Sequence, residues 1–241
     1  MENNWKTEQT AGSNQTIILA NNFVPKVMSL MTVGLIVSGI LAYLFGTSEE
    51  LFYMLINPET GSRKALGWVV MLAPLGMVLL LGSGLRRFSA STMTLLFIVF
   101  SALMGMSISY IFVAYSLGSI TSTFFISATM FGVMALVGYT TKTDLSKLGS
   151  LLFMGLIGII IASIINYFLG SATFDYIISF IGVLIFTGLT AYDMQKVKQI
   201  GMQLDSESEE GKKAAIMGAL SLYLDFINLF LFLLRFFGNR D

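Results

Sequence analysis

The sequence predicts an all-α integral membrane protein, a bundle of seven transmembrane helices. Three observations predict it. Of 241 residues, 55% are hydrophobic and 12% charged, whereas about a quarter are charged in ordinary soluble domains. Seven windows are long enough to cross a hydrocarbon layer about 30 Å thick, which takes about 20 residues at 1.5 Å of rise each. Those windows are continuous apolar runs, not the short alternating segments of a membrane barrel, and lipid demands that backbone groups bond within their own segment.

The windows are Val27–Phe45, Ala65–Leu85, Thr92–Ala114, Thr121–Tyr139, Leu151–Leu169, Tyr176–Tyr192 and Ala214–Phe237. The first six contain no charged residue, and the seventh contains Asp225 and Arg235. The sixth is short, but its apolar face continues past Asp193 towards Lys198, which predicts a helix longer than its hydrophobic window. Two regions follow: a polar N-terminal tail, 1–26, and a seven-helix transmembrane domain, 27–238. The tail lacks the charged, apolar and small-residue order of a cleaved signal peptide, so it is expected to be retained. Gly82, Gly84, Gly105, Gly155, Gly158 and Gly182 lie within spans, where small residues let neighbouring backbones approach closely. Pro74 falls mid-span and predicts a local bend in the second helix.

Positively charged loops favour the cytoplasm. One face collects ten basic residues (Lys6, Lys26, Arg86, Arg87, Lys142, Lys147, Lys196, Lys198, Lys212 and Lys213), and the other has four, Arg63, Lys64, Arg235 and Arg240. The chain is thus expected in the cell (cytoplasmic or inner) membrane with its N-terminus inside and its C-terminus outside. The acidic stretch Gln199 to Lys213 becomes a solvated cytoplasmic loop.

The chain has no cysteine and no histidine, which excludes thiol nucleophiles, zinc clusters and histidine bases. Its net charge is zero, and no basic run interleaved with aromatics suggests a nucleic-acid surface. The expected partner is the lipid bilayer, with the chain acting as a monomer and not as an enzyme. An intramembrane aspartyl protease also places Tyr-Asp on one span and an aspartate on the next. That resemblance requires a glycine two residues before the second aspartate, where this chain has Tyr223, and a later proline, where none follows Pro74. A retinal protein needs a lysine in the last span, and Ala214–Phe237 has none.

An ionised group inside a bilayer costs roughly 2.5–3.5 kcal/mol on insertion scales and generally faces the bundle interior for a purpose. Asp225 lies 12 residues after Lys213 and 10 before Arg235, roughly 18 Å and 15 Å along a helix, close to the midplane. Asn228 follows on the same helical face. Asp193, one turn before Lys196, taken alone reads as an interfacial charge. Spans six and seven are consecutive and antiparallel, so the two carboxylates could meet. The lysine anchors place Asp225 several ångströms deeper, and a tilt, or a seventh helix that starts in the cytosol, would bring them level. Two carboxylates in a low-dielectric site cannot both ionise cheaply, so their protons leave in two steps belonging to the pair. Such a pair is a proton sensor without histidine.

The run Phe186-Thr187-Gly188-Leu189-Thr190-Ala191-Tyr192-Asp193-Met194-Gln195-Lys196 resembles the sixth span of the Bax inhibitor-1 family, also called the transmembrane Bax inhibitor motif family. Ala219 to Phe230, containing Ser221-Leu222-Tyr223-Leu224-Asp225-Phe226-Ile227-Asn228, and then Leu234-Arg235-Phe236-Phe237-Gly238, resemble its C-terminal signature. The resemblance implies a central C-terminal helix ringed by the others and a pH-sensitive calcium leak. It implies a hydrogen-bonded sensor pair at Asp193 and Asp225, with an arginine lock at Arg87, or Arg86 as the next choice. Tyr192, Tyr223 and Asn228 are the supporting residues of these motifs. Some relatives carry an acid within the second span, and Ala65–Leu85 has none. No tightly bound cofactor is expected. Carboxylates and backbone oxygens suit a hard cation such as Ca2+, bound transiently by Asp193 and Asp225, since one pair supplies fewer oxygens than a calcium cage. The alternative reading is a regulator of a membrane-anchored AAA protease or another membrane partner, acting through the N-terminal tail.

Overall fold

A computed structural model of the chain describes the backbone of residues 2–239 and the side chains of residues 22–239. Nine α-helices lie among the described residues: α1 (Glu2–Thr47), α2 (Glu49–Leu55), α3 (Ala65–Gly84), α4 (Ala90–Ile108), α5 (Ile111–Ala114), α6 (Leu117–Thr140), α7 (Ser146–Leu169), α8 (Ala172–Gly201) and α9 (Glu209–Phe237). Seven stretches are long and apolar enough to span a membrane, and they coincide with the seven windows read from sequence. The all-α, seven-span architecture therefore holds.

Within the described residues the first span covers Asn22–Thr47, where Phe23 and Val27 are fully buried and Phe23 packs on Gly201 of α8. The expected N-terminal tail lies outside the described side chains up to residue 21. So do Lys6 and Arg240 among the charges used for orientation. The third span is not one straight helix. Ser109 interrupts it, its hydroxyl and its amide both bonding Met106 O, at 2.8 and 3.3 Å, the local competition with helical bonding typical of serine. The short α5 completes the span. The sixth span continues, as expected, beyond Asp193 to Gly201.

Helix starts are fixed by short polar side chains. Ser89, Ser116, Ser171 and Ser208 each accept a hydrogen bond from the amide three residues on, capping α4, α6, α8 and α9, where the first turn has no backbone acceptor. The α7–α8 connection is only two residues long. Gly170 takes φ +62° there, a left-handed conformation that costs glycine nothing, and Asn166 Oδ1 accepts from Ser171 N at 3.2 Å.

The core lies along α9. Its most apolar window is 61% buried, against 11% for α7 and at most 39% for any other span, so α9 is the most buried of the seven spans. It packs against α1, α4, α6 and α8, with its most extensive interface to α8. In contrast, α3 leans on α4 and α7 on α8. The outward sides of these helices carry large exposed apolar residues such as Leu75, Leu79, Phe153 and Ile164, the surface expected against lipid, where apolar side chains lose nothing by exposure.

Candidate functional site

The two aspartates meet across the antiparallel α8–α9 interface. Gly182 packs on Phe232 and Val197 on Gly218, which fixes the register and leaves Asp193 roughly one turn, about 5 Å, from the level of Asp225. The offset has the direction expected from the lysine anchors, and side-chain direction closes it. A Cα–Cβ bond tilts towards the N-terminus of its own helix, and the two helices run oppositely, so the side chains lean towards each other. The carboxyls come within mutual hydrogen-bonding and Coulombic reach. Asp225 is 5% exposed, and its Oδ2 has no hydrogen-bond donor among the described residues. Two ionised carboxylates are both acceptors, so a hydrogen bond between them requires a proton on one.

Asp193 stands where two cavities adjoin. One, of about 400 Å³, lies at the end of the bundle that carries the α8–α9 loop and is lined by Leu85, Asp193, Lys196, Glu210, Lys213 and Ser221 among others. The other, of about 720 Å³, sits at mid-bundle and is lined by Asp193, Ser221, Asp225 and Asn228 among largely apolar residues of α3, α4, α7, α8 and α9. Asp193 and Ser221 line both. Ser221 precedes Asp225 by one turn, and its hydroxyl adds a further polar group where the cavities join. Reasoning from sequence missed Ser221, although an i,i+4 pair of polar residues in an apolar span was the available signal. Lys196, one turn after Asp193, is close enough to interact with it electrostatically.

The supporting residues part company. Asn228 Nδ2 donates to Leu224 O at 2.8 Å, and the residue lines the mid-bundle cavity together with Asp225. Tyr223 is fully buried on another face of α9. Its hydroxyl is 2.6 Å from Ser38 Oγ, which bonds Ser101 O at 2.6 Å, and its ring meets Phe97 and Phe100 edge-on. It thus ties α9 to α1 and α4, away from the acids. Tyr192 lays its ring on Gly149 of α7. Arg86 and Arg87 are exposed in the turn after α3, and among the described residues neither forms an ion pair. Leu85, two residues before Arg87, lines the same cavity as Asp193.

The α8–α9 loop and the start of α9 are fastened to α1 and α4. Lys26 Nζ donates to Ser206 O and to Glu207 Oε1, both at 2.8 Å, and Ala90 N, at the start of α4, donates to Glu209 Oε1 at 2.7 Å. The hydrogen bond and positive charge of Lys26 hold the Glu207 carboxyl below the usual glutamate range. Gln195 joins the α6–α7 loop to α8, donating to Thr143 O at 2.8 Å and accepting from Leu145 N at 2.9 Å. No group of three or more acidic, histidine or cysteine side chains is placed to hold a metal among the described residues.

Seven long apolar helices, the most buried of them carrying an acid that meets a second acid from its neighbour, define a polytopic helical membrane protein with a polar centre between its last two spans. The chain belongs to the Bax inhibitor-1 family: residues 20–241 match the family model described as "Inhibitor of apoptosis-promoting Bax1". It is 45% identical over 219 residues to the inner membrane protein YbhL of Escherichia coli strain K12, covering 90% of this chain and 92% of that protein. An uncharacterized protein of Borreliella burgdorferi is 45% identical over 226 residues, 94% of this chain and 95% of its own. An uncharacterized membrane protein of Streptococcus pyogenes serotype M1 is 37% identical over 229 residues, 94% and 96%. The family read from the motifs of the last two spans is thus the family of nearly the whole chain.

Proposed function

We propose that this chain is a pH-sensitive calcium leak channel of the cell inner membrane, gated by the Asp193–Asp225 pair. The observation that carries the reading is the meeting of these two acids, one of them buried with an unpartnered oxygen, where a cavity from the α8–α9 loop end adjoins a second at mid-bundle. The loop end is the cytoplasmic one on the distribution of lysine and arginine, with the N-terminus inside and the C-terminus outside. One proton is shared between the two carboxyls. The ionised pair attracts Arg87 when the α3–α4 turn swings over the cavity that Leu85 lines, and this holds the closed state. Proton uptake neutralises the pair, removes that attraction and frees the gate, so acid opens the leak. Calcium passes as a hard cation along carboxylate and carbonyl oxygens. A resident ion takes six to eight such ligands, more than one acid pair supplies, so the site serves passage and not storage.

The test is calcium flux into proteoliposomes over a series of pH values, comparing the parent with Asp193→Asn and Asp225→Asn. The parent's flux rises on acidification, and each substitution flattens that dependence. Unchanged flux with an unchanged pH profile in both variants refutes the reading.

A further inference from the structure

The mid-bundle cavity is more than a widening of an ion path, because it is open to the side. Its walls come from α3 (Met71, Leu75) and α7 (Phe153, Ile160) as well as from α8 and α9. Since α3 is packed on α4 and α7 on α8, the cavity occupies the gap between α3 and α7. The lining residues at its mouth are exposed on the outer face: Leu75 is 67% exposed, and Phe153, Ile160 and Ile164 are about half exposed. The floor is different in kind. There lie Asp193, Asn228 and the buried Asp225, whose Oδ2 lacks a donor. The described residues thus leave acceptors in an apolar slot: a carboxylate oxygen with no donor and a second carboxyl, with the side-chain amide of Asn228 beside them.

That combination selects one chemistry. A primary ammonium group carries a positive charge and three N–H donors, all without acceptors of its own, and matches a floor of acceptors with negative charge. An alkyl chain attached to it fills an apolar slot whose volume, about 720 Å³, falls among those of small-molecule pockets. We infer that the gap between α3 and α7 is a binding site for a single-chain cationic amphiphile, a long-chain primary amine drawn from the bilayer, with its ammonium on Asp225, Asp193 and Asn228. The chain itself gains little by leaving lipid for an apolar slot, so discrimination resides in the head group. An amine binds, the alcohol of equal length binds weakly, and the carboxylate is repelled. The inference deepens the reading above by assigning a ligand to the same acids.

The test uses the full-length protein in phosphatidylcholine nanodiscs and dodecylamine carrying a diazirine at the far end of its chain. Photolabelling is expected on peptides of α3 and α7. Unlabelled dodecylamine competes it away, and 1-dodecanol at the same concentration does not. Asp225→Asn, which removes a charged hydrogen-bond acceptor, lowers labelling about tenfold. Should that variant fail to fold, Ser163→Phe carries the same test, since it narrows the slot from α7 and leaves both acids in place; it too lowers labelling. Labelling spread evenly over the lipid-facing helices, equal competition by dodecanol, or undiminished labelling in the folded variants overturns the inference. Proton-dependent calcium flux is measured on the same preparations. Loss of specific labelling with flux intact defeats the amine site alone, whereas specific labelling without proton-dependent flux defeats the leak alone.

Discussion

Asp225 and Tyr223 stand two residues apart on α9 and do opposite work. Tyr223 faces α1 and α4, where its hydroxyl and Ser38 satisfy one another in a dry interior. Asp225 faces α8, where its partner is another acid. Tyr223→Phe removes one buried hydrogen bond, worth about 1 kcal/mol, so a lowered thermal midpoint in detergent is expected, with the pH profile of flux unchanged. Glu207 supplies the complementary control. Its ion pair with Lys26 holds its folded-state pKa below the unfolded value, so the contact stabilises the loop at every pH above the ordinary glutamate range. The contact is lost only as pH falls through the still lower folded value. A response to milder acid therefore has another origin, and Glu207→Gln is expected to leave the midpoint of the flux profile where it was. At this scale the acids were legible in the sequence, because a charge in an apolar span stands out. Their contact was legible only as a question, since residue spacing measures depth along one helix and says nothing of the opposed tilt of the two Cβ vectors that closes the gap. Tyr223 was read with the acids because it shares their motif, yet two residues along a helix turn a side chain most of the way to the opposite face.

The elements show the same division. Apolar length located every span, but the break at Ser109 depends on a side-chain hydrogen bond inside an unbroken apolar run. Glycines are a sharper case. Six were read from sequence as sites of close helix approach, and the structure separates them. Gly105 lies against the backbone of Ser38 in α1, whereas Gly82 and Gly158 have open space where a Cβ would be. A close α6–α8 contact uses Gly138, which sits against the backbone of Ala191, two residues from Asp193. A methyl group there meets a carbonyl that cannot move aside, so Gly138→Ala is expected to destabilise by about 1–3 kcal/mol. Gly158→Ala relieves a helix of glycine's entropic cost, about 0.5–1 kcal/mol, and is expected to be neutral or stabilising. Thermal unfolding of the two variants side by side checks both signs. Composition could not separate these glycines, because which face of a helix meets a neighbour is decided by the bundle.

For the whole molecule, the proposed leak needs its cavities, its acids and its arginine to act as one device. Arg87 is exposed and free of ion pairs among the described residues, which suits a lock that is not engaged in this conformation. Arg87→Ala is accordingly expected to raise calcium leak near neutral pH several-fold while leaving flux in acid little changed, and a leak equal to the parent's at both ends would remove the arginine from the device.

The claim beneath all of this is that Asp193 and Asp225 titrate as a unit. It is tested most directly by the pH profile of calcium flux in the parent, Asp193→Asn, Asp225→Asn and the double variant, reconstituted at equal density. Groups that share one proton are lost together, so the double variant is expected to match either single one, with the same flattened profile. Two separate, additive shifts, each belonging to one residue, would contradict the account.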